Sequence, residues 1–322
     1  MKYIVAAFIS ILLIGCTKMS TVDIASQKTD GIVFISNDIS DTQGGIGTGF
    51  IIGNQIVTNL HVVEGNGKIT VFSDDSQRKY EATISFQDPV ADIAVLKLKD
   101  WELYNQNETP VGLEFGNSEE AYVGERVVVI GHPWGLYWSV SEGIVSAKNR
   151  RNTQTPKFLD QVDAKLFQGN SGGPVFNEEG QVVCISNMMI SKEGGSYGFC
   201  IPSNLAKKVL YDFEKFGKVR WRVLNVATGM SDDGSALVLK TIDANGAAAA
   251  AGLKEGDKVL EIFTPNSHPN GVKIVSADDL ITELALLRGD DELVKLLVAR
   301  NGEKLMIDVK TNHKLSEEYK VS

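Results

Sequence analysis

Short apolar runs of strand length recur along this chain, each closed by glycine, asparagine or aspartate. Phe50-Ile51-Ile52, Ile56-Val57, Ile93 to Leu98, Val127-Val128-Val129-Ile130 and Val182-Val183-Cys184-Ile185 are the clearest. Such runs are too short for stable helices, and the turn formers beside them mark them as strands. Their repetition argues for an all-β barrel or sandwich. The 322 residues allow two modest domains, and 43% hydrophobic with 23% charged residues gives apolar material for real cores. The net charge is −9, and no basic cluster exceeds Lys148-Asn149-Arg150-Arg151. That balance disfavours a nucleic-acid partner, and the quartet reads as a solvated loop.

Gln168-Gly169-Asn170-Ser171-Gly172-Gly173-Pro174 sets a serine among small residues between strand-like segments. A nucleophilic hydroxyl needs this setting. An acyl carbon must come within bonding distance, and backbone N–H groups must face the developing oxyanion. Gly172 and Gly173 clear the approach, and Gly169 can take angles closed to other residues. Taken alone, the run reads equally well as a glycine-rich turn. His61 stands at the end of a strand, in Thr58-Asn59-Leu60-His61-Val62-Val63, and Asp92 opens the apolar run after Asp88-Pro89-Val90-Ala91. Singly, each has an ordinary structural explanation. In the order His61, Asp92, Ser171, each at a strand boundary, they supply base, orienting carboxylate and nucleophile of a Ser-His-Asp triad.

Several blocks resemble the trypsin-like HtrA (Deg) serine proteases, in family order across residues 31–205. They are Gly47-Thr48-Gly49-Phe50, Thr58 to Val63, Asp92 to Lys97, Gly131-His132-Pro133-Trp134-Gly135-Leu136, Ser141 to Ser146, Gly169 to Pro174 and Gly198 to Asn204. The resemblance implies a mainly β fold, a chymotrypsin-type double β-barrel with the site in the cleft between barrels. It makes His61 the general base, Asp92 its carboxylate and Ser171 the nucleophile. The oxyanion hole then falls to the backbone N–H groups of Gly169 and Ser171, with help from Asn170.

In this fold the residues just before the nucleophile loop shape the pocket for the side chain preceding the scissile bond. Leu166 facing in makes that pocket apolar, whereas Lys165 facing in would pair with an acidic side chain. The resemblance favours Leu166, and a lysine is cheaper left in solvent. Phe167 stands where relatives often carry asparagine, in a loop they rearrange on activation, so a collapsed resting oxyanion hole is one expectation. His132, His268 and His313 read as ordinary polar residues, and Trp134, Tyr137 and Trp138 as packing for the second barrel or, if exposed, as substrate contacts. No Cys/His cluster has ligand spacing, so neither metal nor cofactor is expected.

The amino terminus reads as an export signal. Met1-Lys2 and the apolar stretch Tyr3 to Ile14 are too short for a spanning helix. Leu13-Ile14-Gly15-Cys16 looks like a bacterial lipobox, which would leave Cys16 acylated and the protein tethered to a membrane outside the cytoplasm. A plain signal peptide with an incidental cysteine is the alternative. Thr17 after the cysteine resembles outer-membrane sorting if the host has two membranes. Residues 1–16 are thus a leader and residues 17–30 a tether. By the resemblance, Cys184 and Cys200 fall on neighbouring strands; although a bridge is conceivable there, the expectation is free, buried thiols.

A second unit follows. Pro202-Ser203-Asn204 offers a helix cap, Leu205 to Phe213 has helical apolar spacing, and Gly217 stops it. Residues 206–219 are read as a linker helix. Beyond it come a strand at Ala236 to Lys240, a small-residue helix from Ala247 to Ala251, and a strand ending at Ile262. A capped helix from Ser276 to about Leu287 and a hairpin around Asn301-Gly302 complete it. Ala248 to Ile262 resembles a PDZ signature, which makes residues 220–312 a PDZ-like α+β domain and residues 313–322 a tail. Two departures put peptide C-terminus binding in doubt: Arg220-Trp221-Arg222-Val223-Leu224 replaces the glycine-containing carboxylate loop, and Thr264 to Gly271 is inserted.

Together these readings describe a cofactor-independent serine endopeptidase acting on misfolded or specific extracytoplasmic proteins. The resemblance implies a homotrimer. Two competing readings stand beside it, an inactive chaperone or scaffold and a protease that processes one regulatory substrate.

Overall fold

The structure, a computed structural model, describes residues 18–40, 43–73, 78–102, 104, 112–152, 155–192, 195–265 and 268–315. The leader, Cys16 and Thr17 lie outside the described residues, as do residues 316–322 of the expected tail. Six strands close into a first barrel in the order β1-β2-β3-β6-β5-β4. They are β1 (Ile32–Ser40), β2 (Gln43–Ile52), β3 (Gln55–Asn59), β4 (Lys68–Ser73), β5 (Arg78–Asp88) and β6 (Ile93–Leu98). A second barrel has the order β10-β11-β12-β9-β8-β7. Its strands are β7 (Arg126–Gly131), β8 (Ser139–Asn152), β9 (Thr155–Val162), β10 (Pro174–Phe176), β11 (Val182–Lys192) and β12 (Gly195–Pro202).

Two-sided burial explains the nearly unbroken apolar runs. On one face of β3 and β6, Ile56, Ala94 and Leu96 fill the first barrel with Val33, Ile35 and Val71. On the other, Val57 and Ile93 join Phe50 against Val128, Ile130, Phe176 and Ile185 of the second barrel. A strand buried on both faces has no polar alternation to show. The expected double barrel is the observed architecture.

The thiols require a correction. Cys184 on β11 and Cys200 on β12 are joined in a disulfide rather than free. The antiparallel register pairs Cys184 with Pro202 and Ser186 with Cys200, turning both side chains into the second barrel. Their Cα atoms lie 5.6 Å apart, within the reach of a bridge. Strand register makes that distance, and spacing along the chain does not reveal it.

The stretch expected as a tether contains a docked helix, α1 (Thr21–Lys28), opened by a capping box between Ser20 and Asp23. Ile24 is fully buried. Arg126 of β7 secures the approach, donating to the Met19 carbonyl at 2.5 Å and to Thr21 Oγ1 at 2.8 Å. Beyond the one-turn α2 (Leu60–Val63), the long helix α3 (Ser203–Phe216) leaves β12. Ser203 is its first residue rather than its cap, because its hydroxyl donates to the Gly116 carbonyl at 2.9 Å. Gly217 ends it at φ 70°, as its position suggested.

The second unit is a sheet of β14 (Val226–Met230), β15 (Leu237–Ile242), β16 (Lys258–Thr264), β17 (His268–Lys273), β18 (Leu293–Arg300) and β19 (Glu303–Lys310). Helices α4 (Ala247–Ala250) and α5 (Ala277–Leu286) pack on it around Leu237, Leu239, Val259, Ile262, Leu280 and Leu296. Asn301 and Gly302, at φ 52° and 86°, make the expected β18–β19 turn. The described residues of the inserted stretch belong to β16 and β17, which pair antiparallel. β13 (Arg220–Val223) pairs with β20 (Asn312–Leu315), so His313, Lys314 and Leu315 return as a strand rather than trailing as tail. Trp221 and Ala285 pack with the core between the barrels, which joins the second unit to the first.

Candidate active site

His61 rides on α2, directly after β3. Asp92 ends the turn between β5 and β6 at φ 56°, a left-handed angle that aspartate tolerates better than most residues. Its backbone carbonyl accepts from Leu60 N at 3.1 Å and Asn59 Nδ2 at 3.1 Å, which locks this turn to the start of α2. The Asp92 carboxylate, 4% exposed, meets His61 twice. Oδ2 lies 2.7 Å from Nδ1, and Oδ1 accepts from the His61 N–H at 3.0 Å. A carboxylate at Nδ1 assigns the proton there and leaves Nε2 as the base. The histidine side chain is 41% exposed, open to the cleft.

Asn187 is a site residue that sequence reading missed. Its Nδ2 donates to Asp92 Oδ2 at 2.6 Å, and its carbonyl accepts from Ser171 Oγ at 3.1 Å. The register of β11 against β12 slips between Ser186 and Met188, a bulge that turns Asn187 inward. Nothing in Ile185-Ser186-Asn187 announces a bulge. No hydrogen bond joins Ser171 to His61 among the described residues; catalytic hydrogen bonds commonly close only on substrate.

Gly169 sits at φ 102°, where a Cβ would stand 2.3 Å from the His132 carbonyl. Gly172, at φ 84°, has no room either: a Cβ would lie 2.2 Å from both Thr48 O and Thr58 Oγ1. The Gln168 carbonyl accepts from Trp134 N at 2.8 Å, and the Asn170 carbonyl from Gly173 N at 2.9 Å. Trans peptides put N–H opposite C=O. The N–H groups of Gly169 and Ser171 are thereby turned free, with no acceptor among the described residues. Two unpaired donors thus flank Asn170, the groups that the expected oxyanion hole would use. Asn170 does not add its N–H, which donates to Phe167 O at 2.9 Å.

A cavity of about 310 Å³ opens beside Ser171, lined by Leu166, Phe167, Asn187, Met188 and Met189 with no charged side chain. Leu166 is buried, and Gly198 makes space for it, since a Cβ there would stand 2.9 Å from Leu166 Cδ1. Lys165 is exposed and outside the lining. Phe167 stacks on Trp134 with ring centroids 4.5 Å apart. Trp134 is 59% exposed, so it covers the nucleophile loop instead of packing the second barrel. His132 is buried among Phe34, Tyr137 and Trp138, and its Nδ1 accepts from Trp138 N at 3.1 Å. Burial pushes its pKa down to about 3. His268 pairs with Glu283 at 2.9 Å, away from the site.

A trypsin-like peptidase domain matches residues 47–185. A probable periplasmic serine endoprotease, DegP-like, of Chlamydia pneumoniae is 36% identical over 279 residues, covering 82% of this chain and 54% of that protein. One of the same description from Pseudomonas putida (strain GB-1) is 36% identical over 282 residues, covering 82% and 55%. The chain spans about half the length of the curated relatives it matches. Among solved structures, an HtrA-type protease, AlgW, with a tripeptide matches at TM-score 0.71 and 25% identity, covering 92% of this chain and 97% of that one. The serine endoprotease from Yersinia pestis matches at TM-score 0.62 and 26% identity, covering 92% and 99%. The chain carries a trypsin-like peptidase domain built as in HtrA-type serine proteases.

Proposed function

We propose that this protein is a serine endopeptidase cutting misfolded or specific proteins outside the cytoplasm. One observation carries the reading: Asp92 holds His61 and is linked through Asn187 to Ser171, whose loop presents two free N–H groups. Ser171 Oγ attacks the peptide carbonyl while its proton passes to His61 Nε2. The oxyanion lies on the Gly169 and Ser171 N–H groups. The C–N bond breaks as His61 returns the proton to the leaving amine, and water, deprotonated by His61, then hydrolyses the acyl-enzyme. The uncharged cavity suits an aliphatic side chain before the scissile bond. The test is degradation of unfolded casein with fluorophosphonate labelling, in wild type and Ser171→Ala. Both signals should vanish in the variant; a wild type with neither would move the reading to a scaffold.

The PDZ-like second unit carries a groove of about 210 Å³ between β14, an edge strand, and α5, lined by Leu224, Val226, Leu280 and Leu284 with Lys314 at its rim. An extended peptide could add to that edge. Fluorescence polarisation with peptides of free and amidated C-termini checks it. Acylation of Cys16 would tether the chain to a membrane, and Cys16→Ala should then move it to the soluble fraction. Light scattering on the soluble form tests the homotrimer that the family resemblance implies.

A further inference from the structure

The Gly47-Thr48-Gly49-Phe50 block has no part in the chemistry above. Thr48 lies on β2 at 0% exposure, and its hydroxyl crosses from the first barrel to the second, donating to the Gly169 carbonyl at 2.7 Å. His132 N donates to Thr48 Oγ1 at 3.2 Å, which occupies a lone pair of the hydroxyl and leaves its proton for Gly169. The Thr48 N–H donates to the Ser171 carbonyl at 2.9 Å. One residue of the first barrel therefore grips the carbonyls on both sides of Asn170. Gly47 permits the approach, since a Cβ there would stand 3.0 Å from the Ser171 carbonyl and closer still to Val62.

Glycine at φ 102° keeps its angle only if the peptide planes on both sides are anchored. The plane before Gly169 is held by Trp134 N on the Gln168 carbonyl. The plane after it is held by Thr48 Oγ1 on the Gly169 carbonyl and by Phe167 O on the Asn170 N–H. Without the hydroxyl, a buried carbonyl loses its partner and the loop gains a reason to turn. The Gly169 N–H then leaves the oxyanion position.

We propose that Thr48 is a positioning residue for the oxyanion hole, aligning Gly169 through a hydroxyl supplied by the opposite barrel. This rests on the peptidase reading of Ser171 and deepens it. The test uses the full chain as wild type, Thr48→Val, which removes the donor at nearly constant shape, and Thr48→Ser, which restores it. The readouts are kcat and KM on a chromogenic peptide with an aliphatic residue before the scissile bond, and affinities for the matching peptide aldehyde and product peptide. Thr48→Val should lower kcat about tenfold to a hundredfold, because one oxyanion donor is misaligned. KM and product affinity should stay near wild type, aldehyde affinity should fall with kcat, and Thr48→Ser should recover both.

An unchanged kcat in Thr48→Val, a loss confined to KM, or a Thr48→Ser as impaired as the valine variant would each overturn the inference. If Thr48→Val does not fold, Thr48→Cys, a weaker donor, is read instead: a partial loss of kcat is expected, and none overturns it. A wild type that takes no fluorophosphonate overturns both this inference and the peptidase reading. A reactive wild type without the Thr48 pattern overturns this inference alone.

Discussion

The indole Nε1 of Trp221, on the first strand of the second unit, donates to Oδ2 of Asp88 at 3.4 Å. Asp88 is fully buried, and its Oδ1 accepts from Ala91 N at 2.7 Å, shaping the turn that delivers Asp92. The Lys208 ammonium lies 4.1 Å from the centre of the Trp221 ring and pairs with Asp212 at 3.0 Å. Burial pulls that ammonium down to about 8 despite its carboxylate partner. Asp212 in turn accepts from Arg220 N at 2.9 Å and Gly289 N at 2.6 Å, both in the second unit. A buried polar chain thus runs from the second unit to the aspartate turn.

Trp221→Phe keeps an aromatic ring in the core but removes the indole donor and the volume of the second ring. The bond is long and contributes about 1 kcal/mol, and the lost core volume adds a cavity cost of at least about that size. Activity should fall as well, through a loosened Asp92. Urea melts beside peptide kinetics check this. A variant with unchanged melting and unchanged kcat would show the bond to be idle.

Asn187→Ala removes a donor to the Asp92 carboxylate. A hydrogen bond to a charged group contributes about 1.5–3 kcal/mol, which corresponds to about tenfold to a hundredfold in rate if lost in the transition state. The loss should appear in kcat more than in KM. A normal kcat in a folded variant would demote Asn187 to pocket wall.

His132 predicts an acid limb in stability. Its pKa is about 3 in the fold against an ordinary 6.5, so the folded state keeps it neutral where the unfolded chain takes a proton. Its contribution is complete above the ordinary value and drains away as pH falls from 6.5 towards about 3. The slope is up to about 1.4 kcal/mol per pH unit. His132→Asn, whose amide oxygen can replace Nδ1 as acceptor, should flatten the pH dependence of unfolding across that window. An equally steep dependence in the variant would assign the limb to other groups.

The Cys184–Cys200 bridge spans 16 residues and ties β12 to β11, whose residues Ser186 to Met189 line the cavity. Closing a loop of that size restricts the unfolded chain by about 3 kcal/mol. Reduction, or replacing both cysteines by alanine, should lower the melting temperature accordingly and loosen selection of the side chain before the scissile bond. Equal melting with and without reductant would contradict the bridge.

The two barrels and the pairing of His61 with Asp92 were readable because each signal is local. Apolar runs end in turn formers, and each site residue stands beside a strand end within a few neighbours. Gly169 announced positive φ, and Asn301-Gly302 announced its hairpin, because a single residue's steric freedom decides those angles. Ser203 misled for the opposite reason. Its cap-like position was overridden by a carbonyl from Gly116, far along the chain.

Sequence alone determined the strand-rich class, the glycine-rich serine loop and the placing of His61 and Asp92 at strand ends, all consequences of short-range sterics and polarity. Tertiary structure alone decided the disulfide, the inward turn of Asn187, the stacking of Trp134 on Phe167 and the reach of Thr48 and Trp221 into the site. Each of these depends on strand register, a bulge, or the approach of two surfaces distant in the chain. Such relationships are set by packing many residues at once, which no local stretch encodes.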